Sequence, residues 1–338
     1  MSGILFVILW WHGHKMGTVL PQRFYRYQKL DTRQLSSLIR DNLYFSFPSD
    51  FNDPFDCKPS IFRGGKEADL ADLERTLITL IQNRCSAEAA SSLTKLRFKE
   101  ESRERLSEKF ASIEAQKTVG HIDYMSTDPE LYCSPSVYKR HELLSEIETE
   151  ILRQHTKGVC CFSSSYDSEL MWSHYADSHH GICVGYSLER RFPPEIHSVL
   201  YGRPRILHQQ VIVDAVLHGK KEAISELQEA ALLAKSPKWK YEKEWRLISN
   251  PGLQRSPLKM TDITFGLRCD AALIHAVMKS IDRPDLSFFQ MFELAGRYSL
   301  KRAKLSRGDD EYYDLPVVSG HDDYVFDPID SSVKLPEG

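Results

Sequence analysis

Two glutamates one residue apart, Glu242 and Glu244, stand between two tryptophans in the stretch Lys238-Trp239-Lys240-Tyr241-Glu242-Lys243-Glu244-Trp245-Arg246. Read as a strand, in which successive side chains alternate between faces, it sends Trp239, Tyr241, Lys243 and Trp245 one way and Lys238, Lys240, Glu242, Glu244 and Arg246 the other. Carboxylates two residues apart on one strand face stand roughly 6–7 Å apart, close enough to share one ligand such as a ribose with its paired hydroxyls. Beside aromatic surface such a pair hydrogen-bonds hydroxyls and stabilises an oxocarbenium-like centre, the electrostatic logic of glycosidases. Spacing alone favours a plainer reading, a solvated strand face whose charges pair with neighbouring strands at little energetic gain.

Other groups compete for a chemical role. Phe51-Asn52-Asp53-Pro54-Phe55-Asp56 either offers polar groups to a ligand or cation, or is a capped turn in which Asn52 and Asp53 bond their own backbone and the phenylalanines plug the core; turn chemistry favours the second. His174, His179 and His180 suggest zinc, but their spacing matches no helical zinc site and the nearby acid is Asp177, so surface histidines are the plainer reading. Met171, Trp172 and Tyr175 fall on one apolar helix face, with His174 turned sideways toward whatever lies beside it. No GxxxxGK[ST] loop, GxGxxG turn or GxSxG elbow occurs, so neither a standard phosphate cradle nor a serine-hydrolase elbow is supported.

These residues depend on a mixed set of elements. From Arg23 to Ser60 the pattern is an alternating strand, a short helix opening on the N-cap candidate Asp31, then a strand running into a Pro/Asp/Asn-rich loop. Residues 67–117 read as two charged amphipathic helices, an inserted helical arm with Leu70, Leu73, Leu77 and Leu80 on one face. A turn-rich linker spans Gly120 to Ser136, and a helix then leads into the strand "GVCCFSSS". "SELMWSHYADSHHGICVGYS" gives a short helix, a turn at His180-Gly181 and a strand from Ile182 to Tyr186. Either a strand at "ALLAK" or, favoured by length and spacing, a helix over 213–234 follows; the glutamate-bearing strand, a strand at "ITFGL" and a helix near 270–282 complete the series. Strands interrupted by helices of uneven length argue against a doubly wound parallel sheet and for an α+β fold with mostly antiparallel central sheets and flanking helices.

The composition sets the outer limits. With 41% hydrophobic residues the chain buries a sizeable core, and a formal charge of −3 supplies no global field for nucleic acid or acidic membranes. Seven cysteines without a CxxC pair argue against a secreted disulfide framework and a zinc knuckle, which places the chain in reducing cytoplasm. The apolar run Ile4 to Trp11 is far shorter than the ~20 residues of a spanning helix. It also lacks the flanks of a signal peptide. Met16 is the expected natural start, with residues 1–15 an upstream extension, 16–300 a single α+β domain with the insertion at 67–117, and 301–338 a C-terminal tail.

Taken together, "LYFSFPSDFNDPFDC", "GVCCFSSSYDSELMWSHYADSHHGICVGY", "KWKYEKEWRLI" and "ITFGL" resemble the bacterial family of domain of unknown function 2971, over about Phe24 to Arg268. The order of the elements is in turn similar to that of ADP-ribosyltransferase-like domains. That resemblance implies a split sandwich and an enzyme that consumes NAD as substrate, with no resident metal. It assigns Arg26 of the first strand, Ser163 of the middle strand and Glu244 of the late strand to the NAD cradle, with Glu242 as the upstream member of the ExE pair. Arg26 would grip the pyrophosphate bidentately, Ser163 hold the nicotinamide-ribose edge, Glu244 bond the ribose 2′-hydroxyl and favour the cationic sugar, and Glu242 orient or deprotonate the acceptor. Tyr27, Ser46, Asn52, His174, Tyr175 and Trp239 complete the cofactor surroundings, the aromatic ones as stacking surfaces.

The acceptor implied is a protein or nucleic acid, as for a bacterial toxin or an antiphage defence effector acting with a defence-system partner and without a membrane. Two other classes stay open at this level. One is a nuclease using Asp53, Asp56, Glu242 and Glu244 around a divalent ion, with Lys238, Lys240 and Arg246 on phosphates. The other is a non-catalytic sensor or partner-binding module built on the tryptophans and the helical arm.

Overall fold

The computed structural model describes residues 19–64, 67–95, 99–154, 157–281 and 283–306. The extension ahead of Met16 and the expected tail from residue 307 onward lie outside the described residues. In chain order the elements are β1 (Phe24–Gln28), α1 (Thr32–Ile39), β2 (Asn42–Phe45), β3 (Ser60–Ile61), α2 (Leu70–Lys95), α3 (Glu100–Ser126), α4 (Pro135–Gln154), β4 (Gly158–Ser163), α5 (Glu169–Tyr175) and β5 (Ile182–Ser187). They continue with β6 (His197–Ser198), β7 (Leu200–Tyr201), β8 (Ile206–Leu207), α6 (Gln209–Val216), α7 (Lys221–Leu232) and β9 (Ala234–Lys235). Last come β10 (Glu244–Ser249), β11 (Gly252–Arg255), β12 (Lys259–Phe265), α8 (Ala271–Ser280), β13 (Ser287–Glu293) and β14 (Leu300–Leu305). The architecture is α+β, and most strand pairs are antiparallel. Two compact units share the chain: residues up to Phe24 with Asn42–Ser165 and Leu188–Leu258, and Tyr25–Asp41 with Tyr166–Ser187 and the residues from Lys259 onward.

In the first unit β10 lies between β4 and β6, antiparallel to both, with Glu244 opposite Ser163 and Arg246 opposite Cys161 and His197. β2 pairs with β11, and the parallel pairs β3–β8 and β7–β9 are two residues long. Four of the helices close over one apolar cluster: Leu73, Leu77 and Leu80 of α2, Ala111, Ala115 and Ile122 of α3, Leu143, Leu144 and Ile147 of α4, and Ile212 of α6. The arm expected over 67–117 therefore shares its core with α4 and α6. α3 also continues to Ser126, through the Gly120 expected in a linker, because Val119 and Ile122 extend its buried face. A buried carboxylate, Glu150 of α4, ties this cluster to α2 through a two-bond fork from Arg84, at 2.7 and 3.0 Å.

In the second unit the strand order is β14-β13-β12-β5-β1. β12 and β13 run parallel, a pairing that demands a crossover, which α8 supplies. α8 buries Ile274, Val277 and Met278, and Phe265 stacks on Phe288 in the same unit. α1 starts where its sequence says it should: the Asp31 carboxylate accepts the Gln34 N–H at 2.9 Å.

Three further expectations change. The stretch from Lys238 to Glu242 is a 3₁₀ turn, Pro237–Glu242, not a strand; Ser236 caps it through the Lys238 N–H and Pro237 occupies its first turn. Lys243 then adopts a left-handed conformation with φ 47°, and the strand begins only at Glu244. The helix expected over 213–234 is two helices, α6 and α7, separated around Gly219, whose φ of +60° ends the first. Beyond residue 282 two further strands, β13 and β14, form where no element was expected; Phe288, Phe289, Met291 and Phe292 follow one another too closely for an alternating pattern to mark a face.

Candidate functional site

The two glutamates of the opening stretch meet in the first unit, by a route other than strand alternation. Glu244 and Arg246, two apart on β10, share a face with Ser163 and Cys161 of β4, their register partners. Trp245 points to the opposite face, edge-on to Phe24 at 5.6 Å, and anchors the strand. Glu242 reaches the same place from the end of the 3₁₀ turn, and Lys235 arrives from β9, held by its register opposite Tyr201 of β7.

The result is a sealed charge cluster. Arg246 is 0% exposed and Glu242 and Glu244 are 3% and 5% exposed, so the expected solvated face is instead buried. The Arg246 guanidinium donates to both Asp56 oxygens at 2.9 and 2.7 Å, to Glu244 Oε1 and Oε2 at 2.8 and 3.1 Å, and to the Leu232 carbonyl at 2.7 Å, with Cys57 Sγ at 3.0 Å. All the N–H donors of a guanidinium are thereby used. Lys235 Nζ donates to Glu244 Oε2 at 2.8 Å and to Glu242, and lies 3.4 Å from Asp56. Three carboxylates against two cations leave one formal negative charge.

Electrostatics fix the protonation states. Burial works against ionising Glu244, but Arg246 and then Lys235 outweigh it and hold the carboxyl down at about 2. Burial likewise works against charging Lys235, yet Glu244, Glu242 and Asp56 raise its pKa above the usual lysine range. The neighbouring thiols go the other way: burial pushes Cys57 up to about 12 and Cys161 well above its ordinary value, so neither is a thiolate at neutral pH.

A polypeptide cover lies over the cluster. The 3₁₀ turn and the loop after β2 are joined by the Trp239 indole N–H donating to Asp53 Oδ2 at 2.7 Å. The Trp239 ring lies 5.3 Å from Lys235 Nζ, and the Phe51 ring 5.5 Å from the Arg246 guanidinium. Asp53 also accepts the Phe55 N–H at 2.9 Å, so this loop is the capped turn that its residues suggested. Phe55 departs from that reading: it is 62% exposed, with Arg205 over its ring, and plugs no core.

Of the residues singled out in the sequence, Glu242, Glu244 and Trp239 come together here. Ser163 faces Glu244 from β4, buried, its hydroxyl oxygen accepting the Ser165 N–H at 3.1 Å. Ser46 acts through its backbone, paired with Val159 in both directions at 3.0 and 2.8 Å, and Asn52 is exposed on the covering loop. Arg26, Tyr27, His174 and Tyr175 belong to the second unit. There Arg26 is half-buried on β1. Tyr27 is buried edge-on to Trp172 at 5.3 Å, its hydroxyl accepting the Ser168 N–H at 3.4 Å. His174 is exposed beside Tyr175, and His179 Nε2 meets the Ser173 hydroxyl at 3.2 Å. Sequence reasoning missed Lys235, whose only local context is the apolar "ALLAK", and placed Arg246 among surface charges; its position two residues from Glu244 was the one usable signal.

Among the described residues no helix is long and apolar enough to cross a membrane. Neither the curated proteins nor the solved structures contain a match to the chain. A family model does match, over residues 171–247, a stretch that includes Lys235, Glu242, Glu244 and Arg246 but neither Asp56 nor Ser163. The matching family is described as a protein of unknown function (DUF2971), and the likeness is confined to those residues.

Proposed function

We propose that the chain is an ADP-ribosyltransferase-like enzyme, of split-sandwich type, that transfers ADP-ribose from NAD to a protein or nucleic-acid acceptor. The observation that supports this reading is the facing of Glu244 and Ser163 across antiparallel strands, with the Glu242 carboxylate on the same lysine and Glu244 held ionised. In this reading the C–N glycosidic bond breaks, nicotinamide leaves with the bonding pair, and Glu244 bonds the ribose 2′-hydroxyl and stabilises the cationic sugar. Glu242 takes the proton of the acceptor as the acceptor bonds to the sugar carbon. Arg246 and Lys235 are positioning residues that fix Glu244, and NAD reaches it only after the Trp239–Asp53 hydrogen bond opens. Such an activity suits a toxin or an antiphage effector.

One observation favours a second reading, a non-catalytic partner-binding module: Arg246 spends every donor inside the protein, as a structural keystone does. Nicotinamide release from NAD by the wild-type chain and by Glu244→Gln, with folding followed by near-UV circular dichroism, separates the two. Release that falls at least 100-fold in a folded Glu244→Gln chain supports the transferase; release that Glu244→Gln leaves unchanged, or no release by the wild type, sinks it and leaves the binding module.

A further inference from the structure

The second unit contains another preorganised cation, on its last strand. Arg302 of β14 has its guanidinium 4.1 Å from the ring centroids of both Tyr166 and Phe289 and 5.9 Å from that of Tyr25. One nitrogen, Nη1, donates to Asp262 Oδ1 at 2.6 Å and to Thr264 Oγ1 at 3.0 Å. Among the described residues these are the only hydrogen-bond partners of the group, so Nε and Nη2 offer their N–H donors elsewhere. The side chain keeps 14% of its surface exposed.

The chain has gone to some trouble to build this arrangement. Asp262 is a fully buried carboxylate, an expensive group to place in a sheet without a partner. A β-bulge between Met260 and Asp262 shifts the register of β12 and aims the side chain, and the bulged Thr261 donates its hydroxyl to Asp262 Oδ2 at 2.8 Å. On the neighbouring strand the space for the carboxylate is Gly185, where any Cβ would stand 2.3 Å from Asp262 Oδ2. A glycine, a bulge and a buried acid thus converge on holding one arginine nitrogen, while the aromatic rings hold the plane of the group. Lys304, two residues further along β14, stands on the same face of the strand and adds a second positive charge to that face.

We propose that Arg302 binds an oxyanion through its Nε and Nη2 edge, the ligand presenting two oxygens in the guanidinium plane as a phosphate or a carboxylate does. A guanidinium fork matches both groups bidentately, and the N–H donors of Nε and Nη2 lie in the plane of the group, where they meet an anion edge-on. The site lies wholly in the second unit and stands whether or not the chain turns over NAD.

The test titrates the full chain with inorganic pyrophosphate and, separately, with succinate, by calorimetry and by the ¹⁵N-detected Nε–H resonance of Arg302. Saturable binding of either ligand that shifts this resonance, and that weakens at least 10-fold in Arg302→Lys, is the expected result; which ligand binds identifies the oxyanion. Lysine keeps the charge beside Asp262 but loses the fork. Binding of equal affinity in Arg302→Lys, or a wild-type Arg302 resonance that neither ligand moves, overturns the proposal, and the second outcome needs no variant to fold.

Discussion

Replacing Arg246 by methionine removes the cation that donates to both oxygens of Asp56 and to Glu244 while keeping the volume of the stem. Asp56 is left with the Lys235 ammonium at 3.4 Å, Glu244 with that same ammonium at 2.8 Å, and the Leu232 carbonyl loses its 2.7 Å donor. Breaking a buried ion pair from one side costs about 3–5 kcal/mol, because the orphaned charge stays desolvated. The pH dependence gives an independent magnitude. Glu244 has a pKa of about 2 in the folded chain against an ordinary 4.5, so the unfolded chain binds the proton first as pH falls. The stabilisation, about 3 kcal/mol at ~1.4 kcal/mol for each pH unit of difference, is complete above pH ~4.5 and is lost as the pH falls through about 2. In Arg246→Met the folded-state pKa of Glu244 rises, so the stability gap between wild type and variant narrows below pH 4.5. Urea unfolding followed by tryptophan fluorescence at pH 7 and at pH 4 measures both effects. A loss under about 1 kcal/mol at pH 7, or a gap that does not narrow in acid, refutes the picture of a sealed, mutually ionised cluster.

Gly185→Ala should destabilise the second unit by about 1–3 kcal/mol, as overpacking does, because the added methyl overlaps the Asp262 carboxylate; a variant of unchanged thermal stability would show that β5 and β12 yield freely at this point. Among the cysteines of the described residues, Cys133 is exposed, whereas Cys57, Cys85, Cys160, Cys183 and Cys269 are buried. A native-state thiol titration near pH 8 should therefore give fast reaction at Cys133 and reaction at those five only on unfolding, with mass spectrometry locating the label; rapid labelling of Cys57 would contradict the closed cover over Arg246.

Features set by near neighbours in the chain could be read without a structure. Asp31 caps α1, the apolar run from Gly158 to Ser163 forms β4, and Ile182 onward forms β5, because each depends on contacts or alternation within a few residues. The pairing of Glu244 with Arg246 on one face was equally legible from their spacing. Around Glu242 local signals competed: the charge alternation suggested a strand, but Ser236 and Pro237 capped a turn, and the turn prevailed.

What the sequence alone could not decide is where those charges face. Glu244 and Arg246 are buried because the loop holding Phe51, Asp53 and Asp56, nearly two hundred positions earlier in the chain, closes over them, and because β7 and β9 pair in the register that delivers Lys235. Arg302 illustrates the same limit in the second unit, where Tyr25, Tyr166, Asp262 and Phe289 reach it from four separate segments. Alternation along a strand says which side chains share a face; only the pairing of distant segments determines whether water or protein covers that face, and with it the cost of every charge placed there.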